Sequence, residues 1–235
     1  MFDKRRALAE AVADIPDGAT VMIGGFGGSG APIELIHALI DQGAKDLTII
    51  NNNAGNGHVG LAALIEQERV RKMICSFPRS ADPRAFTERY LAGSIELELV
   101  PQGTLAERIR AGGAGIPAFF TPTSYGTPLA EGKPVQEIDG RSYVMERALK
   151  ADFALVKADR ADHLGNLTFR KAARNFGPIM CTAAARSIVQ AAQVVEPGAI
   201  DPEVIVTPGI FVDVVVEVTD PAQEEALNRA EAVYP

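Results

Sequence analysis

A run of glycines between a predicted strand and a predicted helix constrains the fold of this 235-residue chain most. The apolar, β-branched segment Thr20–Ile23 is typical of a buried strand, and Pro32 begins a segment with the apolar period of a helix. A turn rich in glycine can bring its backbone N–H groups close to an anion, beside the positive end of the helix. We therefore predict a binding loop made of Gly24, Gly25, Phe26, Gly27, Gly28, Ser29 and Gly30.

The spacing of Gly25, Gly27 and Gly30 also matches the dinucleotide fingerprint, which would predict a nicotinamide-dependent oxidoreductase. That site needs an acidic residue about 20 residues further on, to hold the ribose hydroxyls. The second predicted strand, Leu47–Ile50, is followed by three asparagines instead. Two further interpretations remain: a tight strand-to-helix turn whose glycines serve packing only, and a noncatalytic binding domain that uses the same glycine loop.

Composition and charge exclude several classes of protein. Hydrophobic residues make up 47% of the chain and charged residues 23%, as in ordinary globular proteins. The net charge of −7, without a long block of one sign, argues against nucleic acid as a partner. No apolar run reaches the roughly 20 residues that cross a bilayer, and the first residues do not resemble a secretory signal. We therefore expect a cytoplasmic protein with no membrane partner.

Neither the cysteines nor the histidines form a recognisable metal site. Cys75 and Cys181 are most simply reduced, packed thiols. His37, His58 and His163 share no ligand spacing. We expect no metal and no permanently bound cofactor.

Strand, loop and helix alternate along most of the chain, which predicts an α/β fold with an open, mostly parallel sheet and helices on both faces. The predicted strands are 20–23, 47–50, 70–75, 96–100, 142–145, 152–156, 187–190 and 210–218, and the predicted helices are 4–14, 32–41, 61–67, 85–92, 105–110 and 178–186. The turn-rich stretch 112–140 is interpreted as a β excursion with a hairpin through 135–141. We expect one domain, 1–218, and a C-terminal tail, 219–235, either a loosely attached helix or disordered.

Ligands collect at the carboxyl ends of the strands in such sheets. The loops that begin at Gly24, Asn51, Ser76 and Pro101 should therefore open on one side.

Four stretches of the chain resemble the first subunit of the family I 3-oxoacid CoA-transferases, from about residue 14 to residue 216. They are Asp17-Gly18-x-x-Val21-Met22-Ile23-Gly24-Gly25-Phe26-x-x-x-Gly30-x-Pro32, then Asn52-Asn53-Ala54-Gly55, then the run from Pro101-Gln102-Gly103-Thr104 to Gly115, and Gly165-Asn166-Leu167-x-Phe169-Arg170-Lys171-x-Ala173-Arg174-Asn175-Phe176. Within that family, the stretches 53–57, 75–79 and 175–180 look most like the 3-oxoadipate enzymes, with acetoacetate enzymes as the alternative.

The resemblance implies transfer of CoA from succinyl-CoA to a 3-oxoacid by a ping-pong mechanism with a glutamate nucleophile. In two-subunit members that glutamate lies in the second subunit, within Ser-Glu-Asn-Gly, and this chain has no Ser-Glu pair. Glu96, Glu98 and Glu107 are interpreted as solvated side chains. The resemblance therefore implies the second CoA-transferase subunit for a partner, an A2B2 heterotetramer, and coenzyme A as a thioester substrate.

By the resemblance, residues 24–30 would shape the CoA site and Gln102 would donate a hydrogen bond to the oxyanion formed on thioester attack. Asn52 and Asn53 match asparagines that line the same site. The alternative for all three side chains is that they cap loops.

One arginine and one cluster of three basic residues have open roles. Arg79 is our candidate for the second carboxylate of 3-oxoadipate, and the alternative is a surface pair with Asp82. Arg170, Lys171 and Arg174 could meet CoA phosphates or the partner subunit, or form a solvated helix face.

Overall fold

The computed structural model describes residues 3–218, 220–227, 229 and 231–235. The strands in chain order are β1 (Thr20–Ile23), β2 (Leu47–Ile50), β3 (Val70–Cys75), β4 (Glu96–Leu99), β5 (Ala118–Thr121), β6 (Val135–Ile138), β7 (Arg141–Arg147), β8 (Ala151–Asp162), β9 (Leu167–Thr168), β10 (Ala184–Val195) and β11 (Val214–Glu217). The α-helices are α1 (Leu8–Val12), α2 (Ile33–Gln42), α3 (Leu61–Glu66), α4 (Arg84–Leu91), α5 (Gln102–Gly113), α6 (Gly177–Ala183) and α7 (Pro221–Leu227).

Among these residues, eight strands form one sheet in the order β11-β10-β8-β1-β2-β3-β4, with β9 paired antiparallel to β8. All the other pairings in this sheet are parallel. Successive residues of the central strands are buried on opposite faces, Val21 with the α1–α4 layer and Met22 with α5 and α6. This double burial explains why β1 and β2 are apolar throughout, and it confirms the predicted fold class.

The β excursion is a second, three-stranded antiparallel sheet in the order β5-β7-β6. Asp139 and Gly140, which join β6 to β7, both have positive φ angles, of 50° and 75°. That turn matches the twist of a two-stranded ribbon. The predicted hairpin is confirmed, and the predicted strand 142–145 is part of β7.

Several predicted boundaries were wrong. The helix predicted over 4–14 is only Leu8–Val12, because the backbone of Lys4 and Arg6 hydrogen-bonds to Val215 on the edge strand β11. The predicted helix 178–186 ends at Ala183, where β10 begins. Strands β8 and β10 each have 12 residues and extend well beyond 152–156 and 187–190. The predicted strand 210–218 starts with a 3₁₀ turn, Gly209–Phe211, and its β part is β11.

The residues described after 218 pack on the body of the chain. In α7 the carboxylate of Glu224 is buried, pairs with Lys157 and accepts a hydrogen bond from Gln190 at 3.0 Å. Tyr234 donates its backbone N–H to His58 at 3.0 Å and its hydroxyl to Asp41. Of the two forms expected for the tail, a helix is present over Pro221–Leu227. Residues 219, 228 and 230 lie outside the described residues, and the domain division at residue 218 stays a prediction.

None of the helices in the described ranges combines the length and apolarity needed to cross a membrane.

Candidate active site at the carboxyl ends of the parallel strands

The loops after β1, β2, β3 and β4 open on one side of the sheet, as predicted, and surround a cleft of about 710 Å³. The glycine loop (residues 24–30) follows β1, the asparagine loop (residues 51–57) follows β2, and α5 begins directly after Pro101. The cleft is lined by Phe26, Gly27, Gly28, Asn52, Asn53, Asn56, Ser76, Phe77, Ser80, Ala81 and Gln102. Six of the residues predicted from sequence are therefore brought together here.

The glycine loop closes on itself in a tight turn. Phe26 and Ser29 exchange two backbone hydrogen bonds, of 3.0 and 3.2 Å. The N–H of Gly24 is bonded to Leu155. Gly27 and Gly28 are exposed, and their N–H groups donate to no other described residue. The loop therefore leaves fewer N–H groups available to a ligand than the sequence suggested, mainly the two adjacent ones of Gly27 and Gly28.

Other glycines of the loop serve packing. Gly30 is buried with a φ of 75°, and a Cβ there would lie 2.5 Å from the carbonyl oxygen of Ala173. Gly25 is also buried, with a φ of 129°. The packing interpretation thus applies to Gly25 and Gly30, while Gly27 and Gly28 face the open cleft.

Asn175 makes four hydrogen bonds, two of which hold the glycine loop in place. Its Oδ1 accepts from the backbone N–H of Gly25 at 3.1 Å and of Phe176 at 2.7 Å. Its Nδ2 donates to the carbonyl oxygens of Ser29 at 3.0 Å and Ala172 at 2.9 Å. Sequence reasoning assigned no role to this residue. The available signal was an asparagine in the Arg174-Asn175-Phe176 run, but its partner 146 positions away cannot be read from sequence.

Gln102 and Asn52 form the polar centre of the cleft. The Gln102 Nε2 donates to Asn52 Oδ1 at 2.8 Å, and Ser76 Oγ lies 2.7 Å from the same oxygen. Asn52 is buried, whereas Gln102 is exposed to the cleft. Gln102 was predicted to lie in a loop before a helix at 105–110; it is in fact the first residue of α5, because Pro101 supplies the N-cap position.

The neighbouring asparagines stabilise loop structure. Asn53 Oδ1 accepts the N–H of Gly55 at 2.9 Å, so the loop-capping interpretation holds for Asn53 although it also lines the cleft. Asn51 Nδ2 donates to the carbonyl oxygen of Ile23 at 2.6 Å and ties the asparagine loop to the end of β1.

Arg79 lies on the loop between β3 and α4, exposed and outside the cleft lining, although Phe77, Ser80 and Ala81 of the same loop line it. The alternative partner, Asp82, instead forms an ion pair with Arg84 at 2.7 Å. That pair holds the pKa of the Asp82 carboxyl at about 2, through hydrogen bonds from the guanidinium. In the described part of the chain Arg79 has no ion pair.

The three glutamates interpreted from the sequence as solvated side chains all form ion pairs, and Glu98 is partly buried. Glu98 binds Lys72 and Arg108, at 3.1 and 2.9 Å. Burial alone would raise the pKa of Glu98, but the hydrogen bonds from Arg108 and Lys72 hold it below its ordinary value. Arg108 also donates to the carbonyl oxygen of Arg147 at 2.8 Å, which fixes α5 and hence Gln102.

Glu96 pairs with Lys72 and Glu107 with Arg110. Burial raises the pKa of the Cys75 thiol to about 12, so it is not a thiolate at neutral pH. Among the described residues no group of His, Cys, Asp and Glu has the geometry of a metal site.

Comparison with known proteins shows which protein family the chain belongs to. The profile of the coenzyme A transferase family matches residues 5–218. The chain therefore belongs to the coenzyme A transferase family, in agreement with the resemblance carried by its motifs.

Individual relatives narrow the comparison. The chain is 63% identical over 216 residues to the first subunit of the 3-oxoadipate CoA-transferase of Pseudomonas putida, and the match covers 92% of this chain and 94% of that protein. It is 53% identical over 211 residues to the first subunit of the succinyl-CoA:3-ketoacid coenzyme A transferase of Xanthomonas campestris pv. campestris (strain B100), covering 90% and 85%.

A solved structure shares the fold. The acyl-CoA transferase apoenzyme from Escherichia coli O157:H7 superimposes with a TM-score of 0.80 at 24% identity, over 94% of this chain and 48% of that one. This chain thus spans about half the length of that protein.

Proposed function

We propose that this chain is the first subunit of an enzyme that transfers CoA from succinyl-CoA to 3-oxoadipate. The Pseudomonas putida relative, at 63% identity, is a 3-oxoadipate CoA-transferase subunit, which supports that acceptor. The 53% identity to one subunit of a succinyl-CoA:3-ketoacid transferase supports acetoacetate or another short 3-oxoacid as the second candidate.

One observation carries the assignment of roles. The described lining of the cleft offers amides, hydroxyls and backbone N–H groups, but no carboxylate and no thiol. Such a surface can bind and polarise an acyl-CoA but contains no carboxylate to act as the nucleophile, and its two serine hydroxyls, those of Ser76 and Ser80, donate hydrogen bonds to Asn52 and Gly55. The nucleophilic glutamate therefore belongs to the second subunit.

The reaction then proceeds in balanced steps. The partner's glutamate carboxylate attacks the thioester carbonyl of succinyl-CoA, the C–S bond breaks, and a mixed anhydride and CoA thiolate result. The thiolate attacks the glutamyl carbonyl, which releases succinate and leaves a glutamyl-CoA thioester. The carboxylate of the 3-oxoacid then attacks the glutamyl-CoA thioester, which gives a second mixed anhydride and CoA thiolate. The thiolate attacks the 3-oxoacyl carbonyl of that anhydride, so that 3-oxoacyl-CoA leaves and the glutamate carboxylate is restored.

Gln102 is assigned to the oxyanion that forms in each attack. One N–H of its Nε2 is held by Asn52 Oδ1, so the side chain is oriented while the second N–H stays available to the cleft. A donor that is positioned before the reaction needs no reorganisation as charge develops. Ser76 reinforces the arrangement by engaging the same Asn52 oxygen.

Gly27 and Gly28 are assigned to the CoA thioester, since their N–H groups border the same cleft and donate to no other described residue. Gly24, Gly25, Phe26, Ser29 and Gly30 shape that surface from behind or beside it. Arg79 is assigned to the distal carboxylate of 3-oxoadipate, because it is a guanidinium without an ion pair among the described residues, on a loop of which four other residues line the cleft.

The assembly we propose is an A2B2 heterotetramer in the cytoplasm, with CoA as a substrate and no permanent cofactor. Both relatives are named as one subunit of their enzymes, which supports a partner that supplies the other subunit.

Substrate choice is tested on the complex with a second subunit that carries Ser-Glu-Asn-Gly. With succinyl-CoA as donor, we expect kcat/KM for 3-oxoadipate to exceed that for acetoacetate at least tenfold. A reversed ratio would assign the enzyme to the short-chain 3-oxoacids.

A further inference from the structure

The three cations of the turn 170–174 have no acidic partner in the described part of the chain. Arg170, Lys171 and Arg174 are all exposed, and no carboxylate of a described residue lies within ion-pair distance of them. Elsewhere basic residues are commonly paired, as Lys72 is with Glu96 and Arg186 with Asp14. A local excess of positive charge in a chain of net charge −7 marks this turn as a surface for an anion.

The turn is physically joined to the glycine loop. Asn175, which follows the turn directly, bonds both Gly25 and Ser29. The carbonyl oxygen of Ala173 approaches Gly30 so closely that no side chain fits there. The basic side chains are therefore carried by a segment in contact with the loop whose Gly27 and Gly28 face the cleft.

The backbone of the turn is also strained. Lys171 has a φ of 50°, in the left-handed region that L residues with long side chains rarely occupy. Strained backbone conformations of this kind are frequent at ligand-binding segments. The alternative interpretation was a solvated helix face, and the structure shows exposed side chains on a short 3₁₀ turn, Lys171–Arg174, rather than on an α-helix.

We infer that Arg170, Lys171 and Arg174 form a subsite for the phosphate groups of the nucleotide end of CoA. This inference rests on the proposed function, which makes a CoA thioester the substrate. CoA carries a diphosphate and a 3′-phosphate, and guanidinium groups bind such oxygens with charge-assisted, often bidentate hydrogen bonds. The thioester end lies in the cleft, and the phosphates extend past the glycine loop to the turn.

The test compares two donors in the complex with the second subunit. Succinyl-CoA contains the phosphates, whereas the succinyl thioester of pantetheine lacks them. The variant is Arg170→Gln, Lys171→Asn and Arg174→Gln combined, in which asparagine suits the left-handed backbone of residue 171. We expect its KM for succinyl-CoA to rise at least tenfold, while KM for succinyl-pantetheine and both kcat values stay within about twofold.

The matched control is Lys45→Asn. Lys45 is an exposed cation at the amino end of β2, at the opposite side of the sheet from the glycine loop. Its substitution should leave both KM values unchanged. If the triple variant folds poorly, Arg174→Gln alone should raise KM for succinyl-CoA about threefold.

Three results would overturn the inference. They are an unchanged KM for succinyl-CoA, an equal rise for both donors, and loss of the complex in size-exclusion chromatography, which would make the turn a docking surface for the partner. Equilibrium binding of CoA and of pantetheine to the same complexes requires no turnover. A selective loss of CoA affinity would therefore support the phosphate subsite even if the assigned acceptor is wrong.

Discussion

Gln102 and Asn52, separated by 50 positions in sequence, are joined by a hydrogen bond of 2.8 Å between Nε2 and Oδ1. The contact is possible because β2 and β4 both border β3, so that the residues that follow them meet at the same edge of the sheet. The buried Asn52 thereby orients an exposed amide at the start of α5.

We expect Gln102→Ala to lower kcat about 10²-fold with a smaller change in KM, because a hydrogen bond to the oxyanion strengthens only as charge develops. Steady-state kinetics of the complex with succinyl-CoA measures both constants. Asn52→Ala should lower kcat less, since Gln102 remains but loses its orientation.

The control for this pair is Gln136→Ala, an exposed glutamine on β6 of the second sheet. The double variant of Gln102 and Asn52 should be no slower than Gln102→Ala alone, because the two side chains act as one unit. Activity of Gln102→Ala within about threefold of wild type would exclude the oxyanion role.

Two glycines of the glycine loop should respond differently to substitution, because Gly28 faces the cleft and Gly30 packs against the turn 170–174. Gly28→Val adds a side chain at the cleft, at a position outside the left-handed region, and should raise KM for succinyl-CoA while the melting temperature stays close to wild type. Gly30→Ala places a Cβ 2.5 Å from the Ala173 carbonyl oxygen and should lower the free energy of unfolding by about 1–3 kcal/mol.

Thermal unfolding and kinetics of the two variants separate the roles. Wild-type kinetics in Gly28→Val would indicate that this part of the loop does not meet the ligand. Wild-type stability in Gly30→Ala would show that the turn 170–174 can move away from the loop.

Arg79→Ala should raise KM for 3-oxoadipate at least tenfold, a loss of about 1.4 kcal/mol, and leave turnover of acetoacetate level, because only the first acid has a second carboxylate. Arg84→Ala is the matched control, since Arg84 is already paired with Asp82. Equal losses for both acids, or none for either, would remove Arg79 from acceptor recognition.

His37 predicts a pH-dependent contribution to stability. Burial lowers the pKa of His37 to about 4, and its Nε2 accepts the N–H of Gly60 at 2.9 Å, which requires the neutral ring. The unfolded chain binds the proton near pH 6.5 and the folded chain only near pH 4. Stability from this group is therefore complete above about pH 6.5 and is lost as the pH falls towards 4.

Chemical denaturation of wild type and His37→Gln between pH 4 and 7 measures this contribution. Glutamine retains an acceptor but does not titrate, so the difference in the free energy of unfolding should change by up to about 1.4 kcal/mol per pH unit in that window. Parallel pH curves for the two proteins would show that His37 is not the titrating group.

The bounds of β1, the glycine loop and α2 could be predicted well from the sequence. Glycine and proline mark the ends of these apolar segments, and the spacing of the apolar residues distinguishes the strand from the helix. The long strands β8 and β10 were underestimated, since Lys157, Arg160 and Gln193 interrupt the apolar pattern with side chains that bond elsewhere or face solvent. The order of strands and helices in the sequence also predicted that the loops after β1, β2, β3 and β4 lie at the same edge of the sheet. It could not show that Asn175 reaches Gly25, because that contact depends on the pairing of β1 with β8 and on the packing of α6 against both.

The most direct test follows the thioester when the purified chain meets succinyl-CoA and 3-oxoadipate, first alone and then with the second subunit present. The expected result is no turnover above the uncatalysed rate for this chain alone and full activity on mixing, because the cleft provides binding and polarising groups but no carboxylate to act as the nucleophile. Turnover by this chain alone would contradict the assignment of the nucleophilic glutamate to the partner.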